Sequence, residues 1–322
     1  MDYILLFGSE QDPHLKVVHN NLKKLNADSV IFDIRNNNHS ITLEINDKGS
    51  FGLCKIDNIS IKFEQISAVW WRNKRFPYLG ENINEKSIQE FIDIEWRYLL
   101  SSLYHFTPQA FWVNNPLKQY KTNFKSYQLL LARNLGFSIP NTIMTNNSQD
   151  ILPHFENEGR MIYKQLGWTM FPNGDVIFTS EVKKEQVIDQ PDDIRLTPGI
   201  FQEYIEKDYE LRVTVVGEEI FAVKINSQQQ QRTVIDWRHD QLSDMYEGYE
   251  LSEELKQKLI EFNFKAGIEF GAYDLIKTKD GRYIFLECNP SGQWLWLEEK
   301  LNHLNISESF ARLLINKAKL NE

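Results

Sequence analysis

The sequence predicts an α/β protein, in which strands and helices alternate along 322 residues. Two observations carry this prediction. The chain opens with a βαβ pattern, in which a continuous apolar strand over residues 3–7 is followed by a helix to about Leu25 and a second strand over residues 30–34. Near its end, the dipeptide Asp280-Gly281 separates two apolar runs, which indicates a β-hairpin.

The composition narrows the class of function. The net charge of −9 and the pI near 5.4 argue against a general nucleic-acid binder, because binding to phosphates needs a basic surface. Both cysteines, Cys54 and Cys288, lie in apolar strand-like runs, so we expect reduced core residues in a cytoplasmic protein. The first residues lack the pattern of a signal peptide and no apolar run reaches about 18 residues, so no membrane association is predicted.

The first part of the chain is expected to form a scaffold. A single glycine, Gly8, follows the first strand where a dinucleotide site would carry three, so such a site is disfavoured. The segment 88–103 has apolar residues at helical spacing and predicts a helix. Three basic residues follow a predicted buried strand, and they indicate either contact with phosphate or an acidic substrate, or a solvated loop. They are Arg72, Lys74 and Arg75.

Two lysines stand out in the middle of the chain. Lys125 lies on the helix predicted over residues 120–135. Taken alone, a lysine on such a helix is interpreted as a surface charge. Lys164 alternates with apolar residues in the strand predicted over 161–165, and a lysine that points inward needs an anion. The glycines of the segment 167–174 would let backbone amides approach phosphate oxygens, although a plain hairpin connection is the alternative.

The acidic residues of the last hairpin point to a metal site. If Asp280 and Gly281 form a two-residue loop, counting back along both strands places Asp274 directly opposite Glu287, and Asn289 points to the same face. Opposed carboxylates repel each other unless a cation lies between them. Carboxylate and amide oxygens suit Mg²⁺. The alternative is a solvated hairpin face that carries two acidic residues by chance.

The residues around this hairpin resemble those of a known family. Ile284, Leu286 and Cys288 are expected on the apolar face, and the run Asn-Pro-Ser-Gly-Gln ends the strand at Asn289. A strand that closes with Glu-x-Asn-Pro resembles the last metal-binding strand of ATP-grasp enzymes. The continuation LECNPSGQWLWLE resembles the ATP-grasp ligases that cyclise ribosomal peptides, the microviridin-type or graspetide group. The resemblance covers nearly the whole chain and is most specific from residue 115 onward.

The resemblance implies an ATP-grasp fold in three parts. These are an N-terminal pre-ATP-grasp domain over residues 1–114, which contains the βαβ unit, a central lid subdomain over 115–200, and a C-terminal subdomain over 201–322 that holds the metal site. It also implies ATP and Mg²⁺ as cofactors. Lys125 and Lys164 would contact the phosphates. The segment FQEYI would hold adenine in the hinge, mainly through main-chain atoms of Gln202, Glu203, Tyr204 and Ile205.

Further charged residues are assigned on the same basis. Glu210 stands where related enzymes carry an acidic residue on the ribose or lid, and Asp208 is the alternative. Arg212 alternates with apolar residues, so we expect a partner for it, either Glu210 or a substrate phosphate. The segment TVIDWR resembles one near the active site of the cyclases, which makes Arg238 and Arg232 candidates to neutralise an acyl phosphate or orient a carboxylate. A polar loop is the equal alternative.

The implied function is an ATP-dependent ligase acting on a ribosomal precursor peptide with leader and core segments. Such an enzyme phosphorylates Asp or Glu side chains, and a Thr, Ser or Lys side chain of the same peptide then attacks to form an ester or amide cross-link. Family resemblance favours a homodimer. Two alternatives stay open: a ligase that adds free amino acids to a peptide or small-molecule carboxylate, and a non-catalytic nucleotide-binding scaffold.

Overall fold

A computed structural model describes residues 2–72, 85–167, 176–239 and 244–319. The N-terminal region holds two sheets: a parallel sheet of order β2-β1-β6-β7 and an antiparallel sheet of order β3-β4-β5. Its elements, in chain order, are β1 (Tyr3–Phe7), α1 (Pro13–Lys24), β2 (Ser29–Phe32), β3 (His39–Asn46), β4 (Gly49–Ile56), β5 (Ile59–Lys62), β6 (Ile66–Trp71), α2 (Lys86–Phe106) and β7 (Phe111–Val113).

The predicted βαβ unit is confirmed. Asp12 precedes α1 as its N-cap, and its side chain accepts a hydrogen bond of 2.7 Å from the amide of His14. Pro13 occupies the first helical position, where its missing N–H costs nothing. Burial raises the pKa of the Cys54 thiol, in β4, to about 12. A thiol this deep in the core stays protonated, as the sequence indicated.

The predicted helix near residue 90 is confirmed as α2, and much of its apolar surface faces outward. Leu100 and Leu103 are buried. Phe91 and Tyr98 are 61% and 72% exposed. Within the part of the chain that the structure describes, these two rings are therefore exposed to solvent. Such exposure is unusual for side chains of this size.

The middle of the chain forms an antiparallel sheet of order β10-β9-β11-β8. Its elements are α3 (Pro116–Thr122), α4 (Lys125–Asn134), β8 (Thr142–Thr145), α5 (Ser148–Glu158), β9 (Met161–Lys164), β10 (Ser180–Val182), α6 (Lys184–Asp189), α7 (Pro191–Leu196) and β11 (Gly199–Glu203). The division of the chain at 114 and 200 remains a proposal, and the second boundary falls within β11.

The C-terminal region is built on an antiparallel sheet of order β14-β13-β12-β15-β16. Its elements are β12 (Tyr209–Val216), β13 (Glu219–Ile225), β14 (Tyr246–Gly248), α8 (Glu253–Ala266), β15 (Phe270–Lys277), β16 (Tyr283–Asn289), α9 (Leu295–Lys300) and α10 (Ile306–Lys319). No helix of the described segments combines the length and the apolar character that crossing a bilayer requires.

The hairpin of β15 and β16 differs from the prediction at its turn. Lys277 pairs with Tyr283, whereas a two-residue turn would pair it with Ile284, so the loop is one residue longer than predicted. Only Gly281 in this loop has a positive φ, of 89°. The side chain of Thr278 closes the loop by accepting a 3.0 Å hydrogen bond from the amide of Arg282. The predicted two-residue turn is therefore wrong.

A β-bulge compensates for the longer loop. The register shifts between Asp274 and Leu275, so Asp274 still lies opposite Glu287, as the sequence predicted. The bulge also changes which residues face the core. Phe285 and Cys288, three positions apart, share one buried cluster, while Leu286 is only partly buried. The predicted apolar face of Ile284, Leu286 and Cys288 is thus wrong because a bulge breaks strict alternation.

The first and last parts of the chain share one hydrophobic core. Trp294 is fully buried, with ring centroids 5.7 Å from Trp70 of β6 and 5.2 Å from Phe310 of α10. His14 in α1 accepts hydrogen bonds from the amides of Trp294 and Leu295. These contacts fix the loop that follows β16 against the N-terminal sheet.

Candidate active site

Three cations surround the carboxylate of Glu287 in β16. Lys125, the first residue of α4, forms a salt bridge with Glu287 Oε2. Arg238 Nη1 lies 3.7 Å from Oε1. The charge of Lys125 lowers the pKa of Glu287 far below its usual range, against the effect of burial, and Arg238 and Lys164 add to this shift. The structure thus brings together four residues that the sequence proposed for one site.

Asp274 lies opposite Glu287 and has a different partner. Arg212 faces it across β12 and β15, and Arg212 Nη1 donates a hydrogen bond of 2.9 Å to Asp274 Oδ1. The expected partner Glu210 was therefore wrong, while contact of Arg212 with a phosphate stays a prediction. Burial raises the pKa of Asp274 and Glu287 adds to the rise, although Arg212 opposes it.

Asn289 ends β16 at the exposed edge of the same hairpin. It pairs with Ala272, and its Oδ1 accepts a 3.0 Å hydrogen bond from the amide of Ser291. In the segments that the structure describes, no three His, Cys, Asp or Glu side chains cluster as a metal site. The predicted set contains two carboxylates and one amide instead. These hard oxygen donors fit Mg²⁺, which keeps several water or phosphate ligands.

Lys164 lies at the end of β9. Its ammonium group contacts a side-chain amide directly, not a carboxylate. Its Nζ donates a 2.8 Å hydrogen bond to Gln202 Oε1, and Gln202 Nε2 donates to Thr142 Oγ1. Burial lowers the pKa of Lys164 to about 8, although Glu287 opposes the shift. Gln202 was expected to act through its main chain, and the structure adds a side-chain role in aiming Lys164.

The predicted hinge, residues 201–205, consists of the last three residues of β11 and the two residues that follow it. The amide of Glu203 donates to Asn141 O at 2.9 Å, and that of Tyr204 donates to Arg160 O at 3.0 Å. Both amides are therefore engaged within the protein. For the amide of Ile205, no acceptor is found within the described ranges.

Glu210, near the start of β12, lies in a buried ion pair. Lys207 Nζ donates a 2.7 Å hydrogen bond to Glu210 Oε1 and another of 3.0 Å to Ile235 O. Burial raises the pKa of Glu210, although Lys207 opposes the rise. Asp208, the alternative, is exposed. Sequence reasoning missed Lys207, although its spacing of three residues from a buried acid was a usable signal.

Arg238 is held by a carboxylate that the sequence reasoning also missed. Asp236 is buried and accepts two hydrogen bonds from the guanidinium, at 2.8 and 3.0 Å. Partial burial disfavours the charged form, but Glu287 and Asp236 outweigh it and raise the pKa of Arg238. Arg232, the other candidate of this segment, lies exposed at the surface.

Arg72 has a structural role that neither expectation covered. It is buried, pairs with Asp12 at 3.1 Å, and donates to the carbonyls of Ser291 and Gly292. The expectation that Arg72 contacts phosphate or lies in a solvated loop was wrong, because these partners bury its side chain. The partners come from distant parts of the chain, so the sequence did not indicate them. Lys74 and Arg75 lie outside the described residues, as does most of the glycine-containing segment, 168–175.

Comparisons with known proteins identify similar sequences and structures. Residues 121–314 match the model of a family described as the RimK-like ATP-grasp domain. No curated protein matches the chain. Among solved structures, a RiPP-associated ATP-grasp ligase from Chryseobacterium gregarium, in complex with ADP and a leader and core peptide, is 26% identical with a TM-score of 0.84. The match covers 98% of this chain and 97% of that one.

Two macrocyclases from Microcystis aeruginosa MRC are similarly close. MdnC, bound with precursor peptide MdnA, is 29% identical with a TM-score of 0.86, over 98% of this chain and 100% of that one. MdnB is 28% identical with a TM-score of 0.79, over 98% and 99% of the two chains. The architectures agree over nearly the whole chain, which confirms the ATP-grasp fold expected from the sequence.

Proposed function

Because the chain belongs to the RimK-like ATP-grasp family, we propose that it is an ATP-dependent ligase that cross-links a ribosomal precursor peptide. In this reaction ATP phosphorylates an Asp or Glu side chain of the peptide, and a Thr, Ser or Lys side chain of the same peptide displaces the phosphate. The products are ADP, phosphate and an intramolecular ester or amide.

The observation that carries the proposal is the charge arrangement around Asp274 and Glu287. Two opposed carboxylates meet four cations from four separate elements or loops, and these cations are Lys125, Lys164, Arg212 and Arg238. A site of this composition suits a polyanion together with a divalent cation, because each charge then has a partner. ATP with Mg²⁺ meets both requirements.

Each residue then has a role in the reaction. Lys125 and Lys164 bind phosphate oxygens, and Gln202 aims Lys164. Asp274, Glu287 and Asn289 would hold Mg²⁺, which would neutralise the phosphates when bound. Arg212 and Arg238 are rigidly held by carboxylates and stabilise the developing acyl phosphate; their preorganised charge lowers the barrier without reorganisation.

The hinge offers a place for adenine. Within the described residues the amide of Ile205 has no acceptor, so we propose it as a donor to adenine. It follows the half-buried Tyr204, on whose ring Arg160 stacks at 3.8 Å. A purine needs an apolar slot with a main-chain donor and acceptor. Lys207 holds Glu210, the proposed ribose contact, at the start of β12.

The peptide substrate is proposed from the relatives. The Chryseobacterium ligase was solved with a leader and core peptide, and MdnC was solved with precursor peptide MdnA. A nucleophile on the same peptide as the acyl phosphate gains effective molarity over a free amino acid, which favours cyclisation once the peptide is docked.

The buried, protonated cysteines fit a cytoplasmic enzyme.

Mass spectrometry of a precursor peptide encoded beside the ligase tests the proposal. With ATP and Mg²⁺, the peptide should lose one water for each ring, in step with the formation of ADP. A gain of whole amino-acid residues would instead indicate an amino-acid ligase. Nucleotide binding with no change in peptide mass would indicate a non-catalytic scaffold. Mild alkali would then open esters and spare amides.

We further propose that the enzyme is a homodimer that buries the outer face of α2 and α3. These helices contact each other. Three aromatic side chains on these helices, Phe91, Tyr98 and Tyr120, together with Phe124 just after α3, are 48–72% exposed. They present about 400–600 Å² of apolar surface, a large part of the roughly 800 Å² that each partner contributes to a stable interface.

Light scattering tests the dimer. Tyr98→Glu should yield a monomer, because it places a charge in the apolar interface. Phe264→Glu is the matched control, since Phe264 on α8 is equally exposed, at 77%, and lies on neither helix. A Tyr98→Glu protein with the mass of the wild type would exclude this face as the interface.

A further inference from the structure

The outer edge of β16 is held by a glutamine side chain. β16 is the last strand of its sheet, so its outward main-chain groups need partners from elsewhere. Gln128 in α4 supplies them at Cys288. Its Oε1 accepts the amide of Cys288 at 2.9 Å, and its Nε2 donates to the carbonyl of Cys288 at 2.7 Å. Gln128 is only 3% exposed, so water does not substitute for these bonds.

These two bonds fix both peptide groups between the proposed metal ligands. The amide of Cys288 belongs to the peptide that joins it to Glu287, and its carbonyl belongs to the peptide that joins it to Asn289. One side chain therefore sets the orientation of both peptide planes. Because each plane determines where the adjoining side chain points, Gln128 controls the relative position of the Glu287 and Asn289 oxygens.

The same helix also carries Lys125, three residues earlier and on the same face. Lys125 contacts Glu287, while Nε2 of Gln128 donates a second hydrogen bond, of 2.6 Å, to Thr122 O at the end of α3. The start of α4 thus connects a proposed phosphate ligand, the metal-binding strand and the preceding helix. A shift of α4 would move all three together.

We propose that Gln128 is a positioning residue for the divalent cation, an inference that rests on the proposed function. A second contact keeps the role local. Further along the same edge, the amide of Phe285 donates to Ser138 O at 2.8 Å, so β16 stays attached to the preceding segment without Gln128. Loss of Gln128 should therefore disturb the ligand geometry more than the docking of the strand.

The test compares Mn²⁺ affinity in the presence of ADP, measured by electron paramagnetic resonance of the free ion. Gln128→Met keeps the length of the side chain and removes its three hydrogen bonds, two with Cys288 and one with Thr122 O. We expect Mn²⁺ to bind about 10–100-fold more weakly, as for other residues that orient metal ligands. Gln119→Met in α3 is the matched control, because Gln119 is also buried and its side-chain oxygen has no partner within the described ranges. Its Mn²⁺ affinity should stay within about twofold of the wild type.

Gln128→Glu covers the case in which Gln128→Met does not fold. It keeps the volume and the acceptor for the Cys288 amide, and it removes the donor to the Cys288 carbonyl, so Mn²⁺ affinity should again fall by about tenfold. Unchanged Mn²⁺ affinity in a folded Gln128 variant would overturn the inference alone. Absence of Mn²⁺ binding by the wild-type protein with ADP would overturn the proposed function as well.

Discussion

Lys125 forms a salt bridge with Glu287, and it joins the first turn of α4 to the strand that carries the proposed metal ligands. The contact puts a proposed phosphate ligand directly on a proposed metal ligand. Lys125 neutralises the carboxylate that we propose as a ligand of Mg²⁺. We therefore propose that, with Mg²⁺ and ATP bound, Glu287 would contact the metal and Lys125 would turn to a phosphate.

Glu287→Gln should abolish turnover and lower the free energy of unfolding by about 1–3 kcal/mol, because Lys125 and Arg238 lose their shared charged partner. Asn289→Ala should also abolish turnover, but with nearly unchanged stability, because Asn289 is exposed at the strand end. Chemical denaturation and ATP turnover measure the two effects separately. Wild-type turnover in either variant would remove that residue from the site.

Lys164→Met should weaken ATP binding and reduce turnover together, while thermal stability holds or rises. The variant keeps the apolar stem and removes a charge whose direct contact is a neutral amide. Titration calorimetry with a nonhydrolysable ATP analogue gives the affinity. If the affinity were unchanged, the phosphate role would pass to Lys125 or Arg212.

The pH dependence of ATP binding follows from the same residue. Since the pKa of Lys164 is lowered from 10.5 to about 8, its charge is lost as pH rises through about 8 in the free enzyme. ATP affinity should fall over that range. Lys164→Arg, which stays charged, should keep its affinity there. An identical pH profile in Lys164→Met and the wild type would contradict this assignment.

The same shift has an opposite effect on folding. The unfolded lysine takes up a proton at higher pH than the folded one, so this group lowers the stability of the wild type as pH falls from 10.5 toward 8. Lys164→Met should lack this contribution. Thermal melts across that range, compared between the two proteins, measure the difference.

Lys207→Met should lower the free energy of unfolding by about 3–5 kcal/mol, because it leaves the buried Glu210 carboxylate without its cation. The loss should shrink as pH falls, since burial raises the pKa of Glu210 and the unpaired group then takes up a proton. Adding Glu210→Leu should recover much of the stability. A double variant as unstable as Lys207→Met would show that the charge is not the cause.

Local pattern predicted the carboxylate pair of the site better than it predicted the turn. Counting from Asp280-Gly281 placed Asp274 opposite Glu287 correctly, although the loop is one residue longer than assumed. The error was cancelled by a bulge at Leu286, which no alternation pattern reveals. Residue type and the family resemblance were sufficient to assemble Lys125, Lys164, Arg212 and Arg238 around this pair.

The partners of buried charges were the part that sequence could not supply. Arg72 binds the carbonyls of Ser291 and Gly292, which lie about two thirds of the chain away, so no local spacing signals the contact. Gln128 reaches the main chain of Cys288 in the same way. Such side-chain to backbone bonds depend on tertiary packing and leave no periodic trace.

The transfer of a labelled oxygen tests the central claim most directly. A precursor peptide with ¹⁸O in its Asp and Glu side-chain carboxylates is incubated with enzyme, ATP and Mg²⁺. If a carboxylate oxygen attacks the γ-phosphorus and the nucleophile then breaks the carbon–oxygen bond, each cross-link releases one inorganic phosphate that carries one ¹⁸O. Mass spectrometry of the phosphate should show one label per ring formed. Unlabelled phosphate alongside a cross-linked peptide would contradict activation through an acyl phosphate.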